Sequence, residues 1–308
     1  MRLISVLIHI ALTALVLWSM PIVPSAVQAP LEPLASATTR MVGVDGVEIR
    51  VRTMGLGTRK PCQPAVVFEG GASAPLETWD TVLADVARFA PVVTYDRAGI
   101  GQSNWDGLPP TPERVETRLR RLLSQIAADP PYILVGHSWG GALVRYLSGQ
   151  RPGEVKGVLY IDPTDITLTR SDLVALFESF GAGAVEYDAF DQIMKKSIAS
   201  LPAPLLSEAA VISELLATDI ERRGLPPQPD VPTSVIVAGR VGAPPQGLLP
   251  FDTRAYAKAM HESQVRRLRT WVREGGTFEV ATNSGHSIHV DDPARVVAAI
   301  RNLVARAR

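Results

Sequence analysis

Short, nearly continuous apolar runs alternate with amphipathic stretches along most of this chain. The runs occupy residues 65–68, 91–95, 132–135, 157–161, 233–238 and 277–281 and are rich in Val, Ile and Leu. Such runs predict strands buried on both faces of a parallel sheet. Ahead of them, residues 41–44 and 47–52 flank Asp45-Gly46. That dipeptide supplies the positive φ angles of a two-residue turn and predicts a hairpin. Helical periodicity fills the intervals 76–89, 112–128, 141–150, 252–274 and 293–305. Alternating strand and helix predicts an α/β fold with a doubly wound, mostly parallel sheet. In such sheets ligands bind beyond the C-terminal ends of the strands.

The rhythm breaks between residues 163 and 230, where three helical segments (171–180, 185–200 and 205–222) occur with no strand between them. The interval is too long for a loop in a compact domain. It predicts a helical cap insertion, with a core of residues 38–162 and 231–308. Leu173, Leu176, Phe177, Phe180 and Ile193 are expected to offer an apolar lining to a site beneath it. Residues 3–20 are apolar apart from His9, Thr13 and Ser19, and follow Arg2. This is the pattern of a secretory signal or N-terminal membrane tether. Small-residue cleavage sites follow at Val27-Gln28-Ala29 and Ala35-Ser36-Ala37. Residues 1–37 are therefore set apart from the fold, and export, periplasmic or secreted, is expected.

Lys+Arg and Asp+Glu both number 31, so no global field attracts nucleic acid. Cys62, the single cysteine, permits neither an intrachain disulfide nor a Cys/His metal cluster built on it.

Gly136-His137-Ser138-Trp139-Gly140 lies between the run 132–135 and the helical stretch 141–147. A strand, a tight turn and a helix with serine at the apex form a nucleophile elbow. A serine hydroxyl needs a base in reach, and the base needs an orienting acid. His9 lies in the leader, His261 in a charged helical stretch, and the His137 side chain should leave the turn on the side away from Ser138. His286 follows Gly285 in the loop after the last strand and is the expected base, with His289 a supporting residue. The acid should end a strand between serine and histidine. Residues 233–238 run into Gly239-Arg240-Val241 with no carboxylate, so Asp162 is favoured, with Asp165 and Asp252 as alternatives. The amides of Trp139 and Gly71 are the expected oxyanion donors. Glu69, in the same loop as Gly71, is expected to bond to loop backbone. Asp96 and Ser103, in the second glycine-punctuated turn, should satisfy backbone beside the elbow. No Lys-Ser/Thr follows that turn, which argues against nucleotide binding.

Taken together, Glu69-Gly70-Gly71, Asp96-Arg97-x-Gly-x-Gly-x-Ser103, Gly-His-Ser-Trp-Gly-Gly and Ser284-Gly285-His286-x-x-His289 resemble the α/β-hydrolase superfamily from about Met41 onward. The resemblance implies the α/β-hydrolase fold and a serine hydrolase that needs no metal or organic cofactor. The family usually carries His-Gly where this chain has Glu69-Gly70, and often an aspartate soon after the strand at 235–238. Under the apolar cap a small hydrophobic ester or lactone is the expected substrate. Two rivals are an aminopeptidase-like amidase, with Glu69, Glu178 or Glu186 holding the substrate amine, and a non-catalytic ligand-binding protein of the same fold.

Overall fold

The computed structural model describes residues 37–217 and 224–307. The leader up to Ser36, with its cleavage sites, and the end of the third predicted cap helix lie outside the described residues. The strands are β1 (Thr38–Val44), β2 (Val47–Met54), β3 (Ala65–Glu69), β4 (Val92–Tyr95), β5 (Tyr132–His137), β6 (Val155–Ile161), β7 (Thr233–Ala238) and β8 (Phe278–Ala281). They form one sheet in the order β1-β2-β4-β3-β5-β6-β7-β8. The β1–β2 and β2–β4 pairs are antiparallel and the remainder parallel. This is the α/β-hydrolase fold.

Side chains alternate across each strand, so the sheet has two apolar faces. Phe68, Val135, Leu159, Ile161 and Ile236 pack on α1 (Asp80–Ala87) and on α8 (Pro293–Arg306), whose Val296, Ile300 and Leu303 face inward. Val67, Leu134, Val158, Val235 and Val237 face the other way, towards Leu119 and Leu122 of α2 (Pro112–Gln125) and Ala142 and Leu143 of α3 (Trp139–Gln150). Register then aligns the strand ends. Glu69 pairs with Gly136, His137 with Ile161, and Ile161 with Ile236. Ser138 and Asp162, each one residue beyond its strand, are thereby placed side by side.

Between β6 and β7 stand α4 (Arg170–Glu178), α5 (Ala184–Ile198) and α6 (Ala203–Ala217). Phe177 and Phe190 from the first two join Tyr256 of α7 (Thr253–Arg269) and Phe251 just before it. Helix α7 ends at Arg269, short of the expected 274. Ile193, expected over the site, is instead 47% exposed. The buried stripe of α5 is Phe190, Met194 and Ile198, four residues apart, which turns Ile193 outward.

Candidate active site

Ser138 occupies a strained backbone conformation, φ 54° and ψ −122°, between β5 and α3. A non-glycine residue at positive φ is held there only by its surroundings. The Ser138 N–H donates to the Ile161 carbonyl at 3.1 Å, and its own carbonyl accepts from Thr164 N–H at 2.9 Å. Gly140 is required by close approach. A Cβ at that position would stand 2.2 Å from the Glu69 carbonyl oxygen. The elbow therefore presses against the loop after β3. There a Cβ on Gly71 would meet the Ser138 Cβ at 3.2 Å. In α3's first turn Gly141 N–H donates to the Ser138 carbonyl at 2.9 Å, while Trp139 N–H, the first amide of the helix, is of the kind that a helix N-terminus offers to an anion.

Asp162 follows β6, is buried and also has positive φ, 40°. Its Oδ1 accepts Ala238 N–H at 3.0 Å, and its Oδ2 lies 2.6 Å from His286 Nδ1. Asp162 thus spans two strands, and the imidazole is oriented by the oxygen left over. The other aspartates serve elsewhere. Asp165 accepts Thr167 N–H and pairs with Arg267 at 2.9 Å. Asp252 is the exposed N-cap of α7, accepting Arg254 and Ala255 N–H. His261 reaches from α7 to the Ala238 carbonyl at 2.7 Å, bracing the strand end that holds Asp162.

Two sequence expectations are corrected. The His137 side chain does not leave the site. Its ring centroid lies 4.6 Å from that of His286, and its Nε2 lies 3.0 Å from the His286 carbonyl oxygen. Strand alternation sends His137 onto the face of Ile133 and Val135, and the loop after β8 folds onto that same face. Glu69 does not bond loop backbone either. Its carboxylate accepts from Tyr95 Oη at 2.5 Å and from Arg97 at 2.7 Å, and it is Arg97 that holds the Gly70 and Gly71 carbonyls, at 2.7 and 2.6 Å. Glu69 is the end strand residue, so its side chain goes into the sheet's packing and not along the loop. Burial pushes its carboxyl above the usual range despite Arg97. Asp96 and Ser103 do satisfy backbone: Asp96 accepts from Leu76 and Gln102 N–H, and Ser103 Oγ from Arg50 N–H.

Asp291, unremarked in the sequence, accepts Gly285 N–H at 2.7 Å and Arg240 at 2.8 Å, and so shapes the turn carrying His286. Thr81 Oγ1 donates to the His289 carbonyl at 2.6 Å. His289 is fully enclosed between Trp79 and His137, with ring centroids at 4.7 and 4.6 Å. Burial, and then the neighbouring His286, push its imidazole down to about 3. Below pH 6.5 the unfolded chain takes up a proton there that the folded protein does not. Stability should therefore fall by up to about 1.4 kcal/mol per pH unit from pH 6 towards 4 through this group alone. His289→Gln should flatten the acid limb by that amount in urea unfolding at pH 4, 5 and 6. An unchanged slope would show that His289 is not buried as a neutral ring.

The alpha/beta hydrolase family description matches residues 66–299, more than two thirds of the chain. The lipase LipV of Mycobacterium tuberculosis (strain ATCC 25618 / H37Rv) is 27% identical over 221 residues, 69% of this chain and 82% of that protein. YqjL of Bacillus subtilis (strain 168) is 33% identical over 98 residues, 32% of this chain and 39% of that protein. Among solved structures, the epoxide hydrolase CorEH superposes with a TM-score of 0.60 at 16% identity, covering 88% of this chain and all of that one. That last likeness is one of fold. The strand order, the strained serine at the β5–α3 turn and these matches agree, and the chain belongs to the alpha/beta hydrolase family.

Proposed function

We propose that this hydrolase is a serine esterase acting on small hydrophobic carboxylic esters or lactones. Ser138 is the nucleophile, His286 the base and Asp162 the acid that orients it. The amides of Gly71 and Trp139 receive the oxyanion. The observation that carries the reading is the buried Asp162–His286 pair, 2.6 Å apart, at the strand ends beside the strained serine. His286 takes the Ser138 proton as Oγ attacks the acyl carbon, then gives it to the leaving alkoxide. The acyl-enzyme is hydrolysed when His286 takes a proton from water and returns it to Ser138. The nucleophile is a serine, so the intermediate is the substrate's acyl group on Ser138 Oγ and not an alkyl ester of an aspartate of the kind used in epoxide opening.

The apolar preference rests on the aromatic group Phe177, Phe180, Phe251 and Tyr256, which follows β6 and β7 and belongs to the proposed cap and its neighbour α7. An amine anchor for the amidase alternative finds less support: Glu69 is engaged by Arg97 and Tyr95, and Glu186 accepts Gly183 N–H on its own helix. Export is proposed from the leader alone.

Turnover of p-nitrophenyl butyrate and octanoate by the full chain is expected, with a fluorophosphonate attached to Ser138 in peptide mass analysis. Turnover of amino-acid anilides in place of esters would replace the ester reading with the amidase one. Absence of both turnover and labelling would overturn the serine hydrolase reading.

A further inference from the structure

A carboxylate sits on the apolar stripe of α6. Leu205, Glu208, Ala209 and Ile212 follow helical spacing, yet Glu208 is as buried as its apolar neighbours, 1% exposed. Its partners explain the burial. Glu208 Oε2 accepts Ser73 N–H at 2.6 Å, while Oε1 accepts Arg97 Nε at 2.9 Å and faces Arg97 Nη2 at 2.7 Å. The same guanidinium binds Glu69 and the carbonyls of Gly70 and Gly71. Glu69, Arg97 and Glu208 are all at most 3% exposed. One buried arginine thus joins the end of β3, the loop beside Ser138 and a helix from the far side of the sequence.

The geometry bears on one peptide unit in particular. The Gly70 carbonyl and the Gly71 N–H belong to the same planar trans peptide and point in opposite directions. When Arg97 holds the Gly70 oxygen, it sets the direction of the Gly71 N–H. Glycine at both positions offers no side chain to fix that plane, so the fixing must come from outside the loop. Arg97 is itself aimed by its two carboxylates, and Glu208 adds a direct bond to the loop at Ser73.

We propose that Glu208 is a positioning residue for the oxyanion loop, acting through Arg97 and Ser73. The inference rests on the esterase reading for its catalytic consequence. It assigns α6 a part in forming the site: the loop takes its catalytic shape only while this helix is docked on it.

Glu208→Gln is the test. Its amide nitrogen is a donor and cannot accept Ser73 N–H while its oxygen serves Arg97. With p-nitrophenyl butyrate, kcat per active site, counted by fluorophosphonate titration, should fall about tenfold or more, short of the 10²–10³ lost with an entire donor. KM should stay close to wild type. Inhibition by an aryl trifluoromethyl ketone, whose adduct carries the oxyanion, should weaken by the same factor as kcat/KM. Hydrogen exchange at Ser73 should quicken in the full chain, by about tenfold or more. Glu208→Asp keeps the charge and both acceptors and should recover part of kcat. A variant with fewer competent sites but wild-type kcat at each would overturn the proposal, as would unchanged exchange at Ser73. If the wild-type chain does not turn over esters but Ser73 exchange still quickens, the esterase reading fails and the loop-positioning role stands.

Discussion

Ser138→Ala should lower kcat/KM for p-nitrophenyl butyrate by about 10⁶-fold with the fold intact by circular dichroism. His286→Ala should cost about as much, and the double variant little more, because the two groups act as one unit. Asp162→Asn should cost about 10⁴. The reason lies in Asp162's two bonds. Ala238 N–H requires an acceptor, which leaves the amide nitrogen of asparagine facing His286 Nδ1. A donor there stabilises the tautomer protonated at Nε2, which cannot take the serine proton. Asp252→Asn should leave turnover near wild type, since Asp252 caps an exposed helix end. Asp165→Asn should change stability through its Arg267 pair and leave the chemical step alone. Full loss on Asp252→Asn with wild-type turnover in Asp162→Asn would reverse the assignment of the acid.

Arg97→Met is expected to destabilise the protein by about 3–5 kcal/mol, measured by urea unfolding at pH 8. Two buried carboxylates, Glu69 and Glu208, would lose the guanidinium between them. Glu69 already has its carboxyl raised by burial, and Arg97 is the strongest opposing influence. Without Arg97 its affinity for a proton must rise further. A carboxyl raised in the folded state contributes stability below its unfolded pKa and loses it as pH climbs through the folded value. The variant's loss relative to wild type should therefore be smaller at pH 5 than at pH 8. Adding Glu69→Gln and Glu208→Gln should recover much of the loss, because the charges that need a partner are then gone. Equal destabilisation at both pH values would mean that the loss comes from packing alone.

The chain alone determined its α/β architecture. Apolar runs of strand length separated by amphipathic helices allow little else, since each run must be covered on both faces. The serine was legible because an elbow demands glycines at fixed offsets around it, and Gly136 and Gly140 would meet backbone if they carried a Cβ. The histidine loop and the strand tip at Asp162 were legible from their place after predicted strands. What the tertiary structure decided are the contacts between segments distant in sequence. His137 meets His286 because the loop after β8 folds onto the face to which strand alternation sends it. Asp162, and not Asp165 or Asp252, faces His286 because the β6–β7 register places it beside Ala238. Glu208 gave one local sign, a charge on an apolar stripe, but its partners lie 111 and 135 residues away. Periodicity reports which face of an element is buried and says nothing of what covers it; a buried charge finds its counterion only when the chain has folded.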